Sequence, residues 1–140
     1  MSLTPPHEAV AAVLAAAELG LSVPPAPEAN LFTGHVQPPT KGLVPARAVF
    51  CLRLGSGKND PIQGVDLDKK MFRVQVRVRV GAAEYDAGGV LAQACLDALH
   101  RSEPAGYAYC LANAPAPDDI GTDSHGLPEW SFIVRLGTIA

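Results

Sequence analysis

The clearest pattern in the chain lies at residues 72–80, Phe-Arg-Val-Gln-Val-Arg-Val-Arg-Val. Phe72, Val74, Val76, Val78 and Val80 alternate with Arg73, Gln75, Arg77 and Arg79. Unbroken period-two alternation predicts a half-buried strand with its arginines on one face. Residues 48–54 set Ala48, Phe50, Leu52 and Leu54 against Val49, Cys51 and Arg53, which predicts a mostly buried strand. Residues 107–111 and 130–136 alternate in the same way, and 31–35 reads as a short strand. Two segments have helical spacing instead. In the first, Thr4 is the expected N-cap with Pro5 in the first turn, and Val10, Val13, Leu14 and Ala17 form the apolar stripe. Gly20 suits the residue that ends it. In the second, Asp86 is the expected N-cap. Its stripe is Val90, Leu91, Ala94, Cys95, Ala98 and Leu99, and Pro104 follows its end.

Between these elements the chain is punctuated. Residues 22–46 hold six prolines and read as extended or loop structure. Residues 55–61, Gly-Ser-Gly-Lys-Asn-Asp-Pro, read as a flexible turn opening a long hairpin-like loop at 55–70. Residues 114–123 read as a proline- and acid-rich connector. The expected fold class is α+β: a largely antiparallel sheet of about four main strands, with two helices packed on one face. At 140 residues the whole chain, 1–140, is expected to be one domain.

Composition narrows the function. The chain is 48% hydrophobic and 18% charged, too apolar for a disordered chain and short of charge for a free surface. The outer face of the first helix has the same character, offering Ala11, Ala12, Ala15 and Ala16 with few charges. Alanine there either serves helix propensity or lets another backbone approach closely. The net charge of −3 argues against a general polyanion binder. That total hides sorting. Residues 1–40 hold three acids and no Lys or Arg, residues 41–80 hold nine of the eleven bases, and residues 81–140 hold eight acids against two bases. Cys51, Cys95 and Cys110 are odd in number and widely spaced, which suits a reducing compartment. No apolar run reaches bilayer length and no secretory pattern opens the chain, so a soluble intracellular product is expected.

Catalytic chemistry finds little support. The segment from Leu54 to Lys58 lacks the first glycine of a phosphate loop, which would fall at Leu52, and has Asn59 where that loop needs Ser or Thr. His7, His35, His100 and His125 stand in separate segments without metal-ligand spacing, so no metal and no cofactor are expected. The cysteines sit in apolar stretches, as buried thiols do. Asp123-Ser124-His125 has hydrolase letters but no nucleophile elbow. Gly88-Gly89 in a helix's first turn suits an anion or, more simply, close backbone packing. The arginine ladder Arg73, Arg77 and Arg79 reads either as a solvated face balanced by nearby acids or as a contact surface for an acidic patch on another subunit. Single-stranded nucleic acid is disfavoured, because the strand's one aromatic, Phe72, points to the other side.

Three stretches carry a family resemblance. The strand from Phe72 leads through Gly81-Ala-Ala-Glu-Tyr-Asp-Ala into a helix ending Leu96-Asp-Ala-Leu-His. Later come Ala116-Pro-Asp-Asp-Ile-Gly-Thr-Asp-Ser-His-Gly and the final strand Trp130-Ser-Phe-Ile-Val-Arg-Leu. This order resembles the minor capsid and tail-terminator (tail-completion) proteins of tailed bacteriophages, well over 72–137 and in outline over 1–54. The proline-rich 22–46 segment and the 55–70 loop depart from it. The resemblance implies a non-enzymatic virion protein of the neck, assembled in the host cytoplasm as a homo-hexameric ring. The ring caps the tail tube, ends its polymerisation, joins the head-completion (stopper) protein and leaves a channel for DNA. Another head–tail connector is the alternative within this class, and a small ligand-binding or enzymatic α+β domain the alternative outside it. A ring needs unlike patches that meet between copies. The expected candidates are Arg73, Arg77 and Arg79 against Asp118, Asp119 and Asp123. Lys58, Asp60, Lys69 and Lys70 of the 55–70 loop are expected to contact a neighbour or the tube.

Overall fold

A computed structural model describes residues 4–24, 29–34, 45–64 and 67–139. In chain order the elements are α1 (Pro6–Ala16), β1 (Leu31–Thr33), β2 (Ala48–Pro61), β3 (Asp68–Arg79), α2 (Tyr85–Leu99), β4 (Tyr109–Ala112), β5 (Asp118–Thr122) and β6 (Pro128–Ile139). The strands form one six-stranded sheet in the order β1-β2-β3-β6-β4, and β5 also pairs with β6. β1 runs parallel to β2, and every other pairing is antiparallel. This is the expected α+β class, with more strands than the four main ones.

The alternation in β3 sets the layers. Val74, Val76 and Val78 are fully buried, as are Val49 and Cys51 beside them on β2 and Val134 on β6. Both helices lie on this face, α1 over β1, β2 and β3, and α2 over β3, β4 and β6. A fully buried valine or leucine contributes about 1.5–3 kcal/mol, so this shared face carries most of the stability.

Local sequence explains several departures. α1 begins one residue later than expected, with Pro5 at the N-cap in extended geometry (φ −53°, ψ 141°) and Pro6 in the first turn. Pro5 precedes a proline, and such a residue is pushed out of the helical region. Ala11 joins the buried face, while Ala12, Ala15 and Ala16 are exposed. α2 is capped by Glu84, which places Asp86 inside the first turn, where its charge suits the helix dipole. Its buried face is Gly88, Leu91, Ala92, Cys95, Leu96 and Leu99, and Val90 is 72% exposed. The stripe is therefore rotated from the one expected, because Gly88 belongs to it without an apolar side chain. The bare backbone matters there. A Cβ on Gly88 would lie 2.6 Å from Val80 Cγ2 and 3.0 Å from Trp130 Nε1.

The glycine-rich 55–57 stretch is not the turn. β2 runs through it to Pro61, and its register with β3 shifts between Leu54 and Lys58. Such a shift is a bulge, and Gly57 passes so close to the Met71 carbonyl that no Cβ would fit. The chain reverses later, where Ile62 N–H donates to Leu67 O at 2.9 Å and Gly64 adopts φ +86°. The 55–70 segment is thus a two-stranded arm. The expected strand at 31–35 is observed as Leu31–Thr33, and His35 lies outside the described residues. The acidic connector yields β5, every residue of which is exposed.

Candidate functional site

The sheet face opposite the helices is the most unusual surface of the protein. Register places Phe32, Phe50, Arg77 and Ser131 in one row across β1, β2, β3 and β6. The next rows are Leu52, Gln75 and Ile133, then Leu54, Arg73, Arg135 and Leu111. Phe32, Phe50, Leu52, Leu54, Leu111 and Ile133 on it are all half-buried, and both helices pack on the other face. Antiparallel faces turned to water are normally polar. Here aromatic and aliphatic side chains alternate with guanidinium groups. Phe32 and Phe50 stack at 5.6 Å between ring centroids, and the Arg79 guanidinium lies 5.6 Å from the Phe50 ring.

The ladder's arginines have partners within the chain. Arg77 Nη2 lies 3.0 Å from Glu129 Oε2. Arg79 Nη1 lies 3.5 Å from Asp123 Oδ2, and the same side chain donates to Pro45 O at 2.7 Å and Ala46 O at 3.1 Å. Arg73 sits directly across from Arg135. Asp118 pairs in register with Ser131, so it lies on the same side of the sheet as Arg77. Asp119 accepts a 2.7 Å hydrogen bond from the Tyr85 hydroxyl. That bond and the Gly121 N–H hold its carboxyl below the usual range. The reading of a face balanced by nearby acids therefore describes Arg77 and Arg79.

The arm collects the remaining candidates. Asp60 faces Lys69 across the hairpin, while Lys58 faces Met71 and Lys70 faces Asn59. A cleft of about 410 Å³ at its base is lined by Arg53, Leu54, Lys58, Lys70, Met71 and Phe72, among others. Three cations thus converge where the bulge opens the hairpin.

Motifs with catalytic letters take up structural roles. Asp123 Oδ1 accepts from the N–H groups of His125 and Leu127, both at 2.9 Å, and so closes the turn between β5 and β6. Burial opposes its charge, yet those two N–H groups and Arg79 outweigh it and leave the pKa lowered. His100 Nδ1 accepts from Ala112 N–H at 3.1 Å, tying the end of α2 to β4. Burial pushes the Cys51 and Cys95 thiols up to about 12 and Cys110 up to about 11, so they are poor nucleophiles. Gly88 and Gly89 pack against Trp130, which is the close backbone approach expected of them. Among the described residues no cluster of His, Cys, Asp or Glu is fit to hold a metal ion, and no helix is long and apolar enough to cross a membrane.

No protein-family model matches the chain, and no curated protein matches it in sequence. Its fold is similar to a chain in the virion of a native gene transfer agent particle. The TM-score is 0.57 at 10% identity, and the likeness covers 94% of this chain and 84% of that one. At this identity the likeness is one of fold.

Proposed function

We propose that the chain is a structural protein of a phage-like virion, without catalytic activity, and that it acts as a tail terminator at the head–tail joint. The observation carrying this reading is the fold likeness to a chain of a gene transfer agent virion, which covers 94% of this chain and 84% of that one. The terminator motifs at 72–87 and 116–126 support the finer assignment. The half-apolar sheet face and the projecting charged arm are surfaces that such a protein needs, because its work is contact.

In this reading copies form a ring, proposed as a hexamer, around a channel for DNA. The arm, with Lys58, Asp60, Lys69 and Lys70, and the exposed Asp118 and Asp119 meet the tube or the head-completion protein. The face bearing Arg73, Arg77 and Arg79 meets the next copy. Deleting the gene in a producing strain and imaging the particles tests the assignment. Heads separated from tails of irregular length support it, and normal joined particles overturn it.

A further inference from the structure

The arm formed by β2 and β3 carries a cationic cleft at its base. The register shift sets three residues, Gly55, Ser56 and Gly57, against the single Phe72 of β3. No atom lies within 4 Å of where a Cβ on Gly55 would stand, so the bulge leaves open space beside that glycine. Arg53 lines this space from before the bulge, Lys58 from after it and Lys70 from β3. None of the described residues lining it is acidic, and among the described residues none of these three cations forms an ion pair. Leu54, Met71 and Phe72, each half-buried, give the cleft an apolar wall.

We infer that this cleft is where the arm holds its partner, and that it takes the carboxylates of an acidic peptide segment together with a neighbouring apolar side chain. This rests on the reading that the arm meets the tube or the head-completion protein, and it names the chemistry of that contact. Three like charges gathered in one cleft repel one another, and an anion among them relieves the repulsion. The Arg53 guanidinium can take a carboxylate in bidentate fashion, while the two lysines act as point charges beside it. A volume of about 410 Å³ holds a few side chains. Two observations favour protein over nucleic acid as the occupant. Asp60 and Asp68 lie further out on the same arm, where they repel the phosphates next to any one held in the cleft. The cleft's one aromatic, Phe72, turns its ring edge-on to Tyr107 at 5.9 Å and offers no stacking row for bases. The apolar wall gives nothing to a phosphate, but it buries an aliphatic side chain beside an acid.

A soluble peptide of alternating Glu and Leu, titrated into the full isotope-labelled chain and followed by amide NMR shifts, tests the cleft. Shifts should centre on residues 53–58 and 70–72, and affinity should fall as salt rises. Arg53→Gln and Lys58→Gln should each weaken binding about twofold to fivefold, as loss of one partly exposed charge pair does. Lys69→Gln removes an exposed cation of the same arm outside the cleft and should leave binding unchanged. All three side chains are exposed, so the fold should survive each change, which circular dichroism checks. No binding of the peptide up to millimolar concentration, shifts spread over the other lysines and arginines, or an equal loss from Lys69→Gln each overturn the site. Inorganic phosphate and duplex DNA are the comparison probes. Phosphate that shifts the same amides as strongly as the peptide, or DNA that binds there more tightly, overturns the acidic segment as occupant. The gene deletion reads the protein's place in the virion separately, so either idea can fail alone.

Discussion

Gly88→Ala sets two effects of known size against each other. Alanine is the better helix former, by about 0.8–1.0 kcal/mol in a helix interior and less in a first turn. Against this stands the space. The new Cβ would lie 2.6 Å from Val80 Cγ2, about 1 Å inside normal carbon contact, and 3.0 Å from Trp130 Nε1. Val80 is 1% exposed and β-branched, so it has no room and few rotamers with which to yield. Overpacking of this kind costs about 1–3 kcal/mol. The expected net loss is therefore about 1 kcal/mol, with α2 lifted from the sheet at its N-terminal end. For a chain of this length that is a fall in Tm of about 3–4 °C, read by thermal denaturation followed by circular dichroism. The control is Val80→Ala. That change loses stability by itself, but it removes the clashing methyls and leaves only the 3.0 Å approach to Trp130, so Gly88→Ala should cost clearly less in its background. A higher Tm for Gly88→Ala, equal in both backgrounds, would show that close packing is not why the glycine is there.

Other outcomes follow from the same contacts. Asp119 and Asp123 have lowered folded pKa values, so their stabilisation is present at neutral pH and is lost as pH falls below the unfolded value of about 3.9 and through the folded ones. Thermal melts should weaken over that window, and Asp119→Asn with Asp123→Asn should flatten the slope; an unchanged slope would count against the turn contacts. Replacing residues 60–69 by an Asn-Gly turn should leave the core melt nearly unchanged, because Asn59 and Lys70 face each other in register, while tail joining fails. Tails that join normally would make the arm dispensable. The three buried thiols should resist an aromatic disulfide reagent at pH 8 until the chain is unfolded in denaturant, and prompt reaction of the native protein would contradict their burial.

β3 was legible because its signal is local: four arginine or glutamine positions alternate with apolar ones that the helices bury. α2 was legible as a helix but not in its facing, since Gly88 belongs to the core by its lack of a side chain. β5 was hidden because all five of its residues are exposed, so no apolar period marks it. The 55–57 glycines resemble a turn in sequence, and only the close Met71 carbonyl reveals a bulge. Charge sorting along the chain identified the basic strand correctly, but charge sign does not choose a partner. Asp123 reaches Arg79 through the β5–β6 turn, and Glu129 reaches Arg77 from the neighbouring strand.

A tail terminator sits at one place in the particle. Electron microscopy of purified particles carrying an antibody label against this chain should show one label position per particle, at the junction of head and tail. Label on tail tips, on the head shell or on no particle at all would contradict it.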